Sequence, residues 1–121
     1  MHELSVAQAL VEQVENIARD RHAEYATKIR VKIGPLSGVV PELLASAFPL
    51  AAAGSIAEQA KLELTEAPIR VRCQTCGAES DAAANRLLCG KCGDWHTQVI
   101  SGDELILESV ELEMKEVKEN V

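Results

Sequence analysis

The chain has 121 residues, 47% apolar and 26% charged, enough for one ordinary domain, or a small domain carrying a smaller module, with a buried core. Nineteen acidic against twelve basic side chains give a net charge of −7, the wrong sign for a surface that binds nucleic acid or anionic lipid. No run reaches the twenty or so apolar residues of a membrane span, and the start, Met1-His2-Glu3-Leu4, lacks the basic and apolar segments of a signal peptide. The expected location is therefore the cytoplasm, where disulfides are rare and paired cysteines point first to a metal.

From the N-terminus, Leu4, Ala7, Leu10, Val11, Val14, Ile17 and Ala18 recur at helical spacing, which predicts an amphipathic helix ending near His22. Residues 28–33 alternate polar and apolar, a half-buried strand that Gly34-Pro35 terminates. Pro41 suits the first position of a second helix with Leu43, Leu44, Ala47 and Phe48 on one face. Pro49 predicts a kink or break in it, because an interior proline removes a hydrogen bond and costs about 3 kcal/mol. Gly54 closes that segment, and Ser55 is placed to cap one further turn. Residues 61–66 alternate again, with Leu62 and Leu64 pointing one way, and Pro68 marks a boundary.

After Ser101-Gly102, Leu105 and Leu107 alternate, and Val110, Leu112 and Met114 resume one residue out of phase, which predicts a long strand with a β-bulge near Ser109. Residues 103–119 hold seven acidic and two basic side chains, so most of the negative charge lies on this strand and the tail beyond it.

Residues 69–100 differ in character and hold all four cysteines: Cys73-Gln74-Thr75-Cys76-Gly77 and Cys89-Gly90-Lys91-Cys92-Gly93, with twelve residues between Cys76 and Cys89. Each Cys-x-x-Cys turn sets two sulfurs about 3.5–4 Å apart, one edge of a tetrahedron around zinc. The glycine after each pair permits a tight turn, with its N–H expected to aim at a thiolate. Two knuckles close a four-sulfur site with no open position, a structural rather than catalytic metal. A redox dithiol would need one pair in a βαβ setting. The fold class that results is α+β: two helices on a three-stranded antiparallel or mixed sheet, with an inserted zinc-ribbon-like module. The expected division is 1–67 plus 101–116 as one discontinuous α+β domain, 68–100 as the four-cysteine module and 117–121 as an acidic tail.

No phosphate-binding glycine loop and no serine nucleophile elbow occurs, so an enzyme is not expected. Of the three histidines, His22 reads as a residue at a helix end, and His96 as a surface side chain with a modest claim to ligate metal. His2 has a more particular chemistry. The α-amine of Met1, the amide nitrogen of His2 and its imidazole form adjoining chelate rings, and the Glu3 amide or carboxylate is available as a fourth donor. Nitrogen-rich planar sites of this kind favour nickel(II) or copper(II).

Met-His-Glu at the start, an amphipathic helix, a strand ending in glycine, Cys-x-x-Cys-Gly twice and the later Ser101-Gly102-Asp103-Glu104-Leu105 resemble the HypA/HybF nickel metallochaperones, over nearly the whole chain to about residue 116. The resemblance implies a delivery protein for [NiFe]-hydrogenase maturation that takes nickel as cargo through His2 and Glu3. It implies zinc held by Cys73, Cys76, Cys89 and Cys92. As partners it implies a nickel-maturation GTPase, to which the nucleotide cycle would belong, and the hydrogenase large-subunit precursor. Some members use an acidic nickel ligand shortly after the strand-glycine turn; Val39-Val40-Pro41 occupies that stretch here, and the role is not carried onto the nearby Glu42. Two other readings of the cysteines stand beside this one: a rubredoxin-like electron carrier with iron, against which the sparse aromatics and the larger α+β portion tell, and a zinc-ribbon nucleic-acid module, weakened by the net acidity and the lack of a basic aromatic face.

Overall fold

The structure, a computed structural model, describes residues 2–115, with His2 described by its backbone alone; Met1, the His2 side chain and residues 116–121, the expected acidic tail among them, lie outside the described residues. Helix α1 spans His2–Asp20 and buries the expected stripe, Ala7, Leu10, Val11, Val14 and Ala18, while Ile17 at its edge remains 36% exposed. The helix stops two residues short of His22. The Arg21 N–H still reaches the Ile17 carbonyl (3.0 Å), and then His22 adopts φ 55°, the left-handed conformation that turns a chain out of a helix. It leads directly into β1 (Ala23–Ile33).

That strand begins five residues before the alternation that predicts it. In its first half the buried residues are the small Ala23 and Ala26, three apart, and strict alternation starts only at Ile29, continuing through Val31 and Ile33. Helix α2 (Pro41–Ala52) runs through Pro49 without the expected break. Pro49 stands in the last turn, so a single backbone bond is lost near an end that frays in any case. Leu44, Phe48 and Ala52, spaced four apart, stay buried and hold that turn down. Helices α1 and α2 pack against each other. Ser55 does not start another helical turn; its hydroxyl donates to the Ala52 carbonyl (2.6 Å) and accepts from the Ala57 N–H (3.1 Å), and the chain passes on through turns.

Two sheets follow. The first has the order β2-β1-β6, with β2 (Lys61–Glu66) and β6 (Leu105–Met114) on either side of β1. Lys28 and Arg30 on β1 both reach the Glu63 carboxylate on β2, at 3.1 and 3.3 Å. Along β6 the half-buried residues are Leu105, Leu107, Val110 and Leu112, so the burial alternation slips by one at Glu108-Ser109, where the sequence changes phase. The second sheet has the order β4-β3-β5: β3 (Arg70–Cys73) pairs antiparallel with β4 (Glu79–Asp81) and with β5 (Thr97–Ser101). The fold is thus α+β with an inserted cysteine-bearing ribbon.

The residues group into two compact units. One comprises the described residues up to Val31, Val40–Glu63 and those from Leu107 onward; the other comprises Lys32–Val39 and Leu64–Ile106. Within the second unit, three passes of chain meet closely at the root of the ribbon. The Gly34 N–H donates to the Glu104 carbonyl (2.8 Å), the Leu36 N–H to the Gly102 carbonyl (2.7 Å) and the Ala67 N–H to the Ile33 carbonyl (2.9 Å). A Cβ on Gly34 would lie 2.0 Å from the Gly102 carbonyl oxygen, and one on Gly102, at φ +106°, 2.8 Å from Ile69. Gly34 is therefore demanded by backbone contact, and Gly102 both by its contact with Ile69 and by its positive φ. Gly34→Ala is expected to destabilise the chain by about 1–3 kcal/mol, since backbone cannot yield as a side chain can. A thermal melt unchanged from the parent would contradict this packing.

Candidate metal centre

The two knuckles are built alike. In each, the amide of the glycine following the second cysteine donates to the carbonyl of the first: Gly77 to Cys73 at 3.0 Å and Gly93 to Cys89 at 2.9 Å. Both glycines have positive φ, 76° and 78°, which is why a glycine stands there. Their N–H groups are thus spent on carbonyls, not aimed at sulfur as the sequence suggests. The sulfurs are served from inside the turns instead. The Thr75 and Cys76 amides lie 3.4 Å from Cys73 Sγ, and the Lys91 and Cys92 amides lie 3.4 and 3.3 Å from Cys89 Sγ.

The ribbon brings the knuckles together. Cys73 ends β3, its N–H bonded to the Ala78 carbonyl, and the Gln74 N–H donates to the His96 carbonyl (2.8 Å), which ties the first knuckle to the strand leaving the second. On the other side, the Gly90 N–H donates to Ser80 Oγ (2.9 Å) and Thr97 Oγ1 to the Leu87 carbonyl (2.6 Å). The result is a cluster in which the sulfurs of Cys73, Cys76, Cys89 and Cys92 all lie within 4.8 Å of one another. Across the knuckles, Cys73 and Cys92, and Cys76 and Cys89, are each 3.6 Å apart. A tetrahedron with sulfur 2.3 Å from its centre has edges of about 3.8 Å, so the donor set fits a zinc-sized ion. The first cysteine of each knuckle is buried and the second exposed.

The electrostatics favour the same occupant. The Cys92 and Lys91 amides draw the Cys89 thiol down to about 6, and the Cys76 and Thr75 amides lower that of Cys73. At Cys92 the Asp94 amide favours the thiolate, but the adjacent sulfurs, Cys73 first, and burial together outweigh it and hold the thiol up at about 12. Four sulfurs at this spacing cannot all be thiolates without a cation between them.

Asp94 is the residue that sequence reasoning passes over. Its Oδ2 accepts the Thr75 hydroxyl at 2.5 Å, and its Oδ1 accepts the His96 amide at 3.0 Å and meets His96 Nδ1 at 2.7 Å. The Thr75 hydroxyl, then the His96 amide and ring, hold this carboxyl well below the usual carboxylate range. It braces one knuckle against the other, and its only advance signal is its place directly after the Gly93 turn. His96 is turned toward Asp94 and stacks on Trp95 with ring centroids 3.7 Å apart; it is not among the four clustered ligands.

Of the other candidates, Met1 and the side chain of His2 lie outside the described residues. Glu3 is in the first turn of α1, and its Oε2 accepts the Val40 N–H (3.4 Å) at the N-cap of α2. Glu42 sits in the first turn of α2 and is exposed.

Residues 1–112 match the family model described as hydrogenase/urease nickel incorporation, metallochaperone, hypA. The chain belongs to the HypA family. It is 47% identical over 112 residues to the hydrogenase maturation factor HypA of Nitrosospira multiformis, covering 93% of this chain and 97% of that protein. The HypA of Aquifex aeolicus is 42% identical over 114 residues, covering 94% and 99%. The solution structure of the nickel metallochaperone HypA from Helicobacter pylori superposes with a TM-score of 0.71 at 25% identity, over 93% of this chain and 98% of that one. The α+β fold with its ribbon is the HypA fold.

Because Cys92 retains its proton at neutral pH in the metal-free site, zinc uptake by the apo-protein at pH 7 is expected to release protons and to weaken as the pH falls. Calorimetry in buffers of different ionisation enthalpy reads the release directly, and uptake with no proton release would refute it. Cys73→Ser is expected to lose the metal and to disorder residues 69–100, since three thiolates leave the ribbon without its staple. Metal analysis with amide spectra tests this, and a variant with full metal content and unchanged spectra would count against it.

Proposed function

We propose that the chain binds Ni(II) at its N-terminus and delivers it for maturation of [NiFe]-hydrogenase, with zinc fixed structurally by Cys73, Cys76, Cys89 and Cys92. The observation that carries this reading is the family match across residues 1–112, which takes in the Met1-His2-Glu3 start and both knuckles of a nickel-incorporation metallochaperone. In this reading residues 1–67 and 101–116 handle nickel and residues 68–100 handle zinc.

The local structure supports it. Helix α1 begins at His2, and the first amides of a helix have no acceptor four residues earlier. The His2 and Glu3 nitrogens are therefore open to deprotonate and ligate beside the His2 imidazole and the Met1 α-amine. A helix N-terminus disfavours a cation, but loss of two amide protons places negative charge there, and the Glu3 carboxylate adds to it. Glu3 would exchange its contact with the Val40 amide for nickel, or keep that contact and hold α1 to α2 while nitrogen donors complete a planar set.

The chain's part is to hold and release an ion rather than to catalyse. The partners are a nickel-maturation GTPase and the hydrogenase large-subunit precursor, in the cytoplasm. His2→Ala in protein with its native start is expected to abolish stoichiometric nickel binding while zinc content and the far-UV spectrum stay as in the parent. Undiminished nickel affinity in that variant would overturn the assignment. The titration requires a free α-amine, and binding should weaken on acidification because amide nitrogens must lose protons to ligate.

A further inference from the structure

Strand β6 lies at one side of its sheet, in the order β2-β1-β6, so among the described residues no strand pairs along its outer edge. It is ten residues long, Leu105–Met114, and an edge of that length offers about five residues' worth of outward-pointing backbone donors and acceptors. Beside it, within the same compact unit, runs an open groove of about 410 Å³ between the last turns of α1 and the strand, lined by Ile17, Leu107, Val110, Leu112 and Met114. Ile17 and Met114 are 36% and 52% exposed, so among the described residues apolar surface is left uncovered there. Arg21 is the single cation among the lining residues, with Glu108 lining the same groove.

We infer that this edge and groove dock an extended segment of another protein in which basic and apolar residues alternate, the segment adding a strand to β6. The strand carries Glu108, Glu111 and Glu113 and no basic residue, and Glu111 and Glu113 are exposed. Strand addition draws its affinity from main-chain hydrogen bonds and its selectivity from side chains at every second position. In an alternating segment, one set of side chains enters the groove against Ile17, Val110 and Met114, and the other meets the glutamates. The same charges oppose pairing with a second copy, because two β6 edges side by side would align like charges across the new ladder. The occupant is therefore basic and foreign.

The zinc-loaded full chain is the sample, and the probe is a blocked ten-residue peptide of alternating lysine and valine. Binding should slow hydrogen exchange at alternate amides of β6 and shift resonances of β6 and the last turn of α1. Raising the salt from about 50 to about 300 mM should weaken it severalfold. Glu111→Lys with Glu113→Lys should lower affinity at least about tenfold, and Glu111→Gln with Glu113→Gln, which keeps the side-chain shape, should lower it less. Ile17→Asp should weaken binding through the groove. Equal binding of a peptide with glutamate in place of lysine, unchanged affinity in the charge-reversed variant, or binding without slowed β6 amides would each overturn the proposal. Slowed β6 amides that track the concentration of the protein alone, without peptide, would assign the edge to a second copy and overturn it as well.

Discussion

Four sulfurs drawn within 4.8 Å of one another form the constraint on which the inserted ribbon depends. Strands of four, three and five residues bury little, and in the second unit the buried apolar side chains of the ribbon are few, Ile69 and Val71 chief among them. Such a segment folds by coordination more than by apolar burial, and metal binding supplies free energy on the order of 10 kcal/mol to sites of this class. Every other feature of the ribbon serves that convergence. The left-handed glycines close the turns, the inner amides face the buried sulfurs, and Asp94 binds the turns to each other through Thr75.

The proposed nickel site is constructed on the opposite principle. The four sulfurs are preset by backbone that has already paired its polar groups, whereas the proposed N-terminal donors belong to a helix end whose amides have no intrahelical acceptor. A closed four-thiolate site exchanges its ion slowly and suits permanence; an open set at a chain terminus suits an ion that must leave again. In the proposed reading, cargo and staple sit in different chemistries, nitrogen-rich and all-sulfur, which would separate the metals by ligand preference, since thiolates favour zinc and planar nitrogen donors favour nickel.

Much of this was legible before the fold was known, for reasons that can be named residue by residue. The stripe of α1 is a local period, and the alternation at 28–33 and 61–66 is another; neither needs a partner to be read. The early part of β1 carries no such mark, because Ala23 and Ala26 are too small to announce a buried face. Pro49 misleads because the cost of an interior proline depends on how much helix lies beyond it, and here only three residues do. The glycines of the knuckles are correctly placed in sequence, yet the acceptor of each N–H is decided by the turn that forms.

What the sequence determined by itself is therefore what local chemistry fixes: two helices, the main strands and a four-cysteine cluster with its tetrahedral spacing. Tertiary structure decided whatever depends on groups distant in sequence. It set Gly34 against Gly102, where backbones touch too closely for any Cβ. It turned Asp94 into a brace between two knuckles and brought Glu3 to the Val40 amide. It also put the acidic strand at the side of its sheet, a position that no periodicity records because edge and centre differ only in what lies alongside.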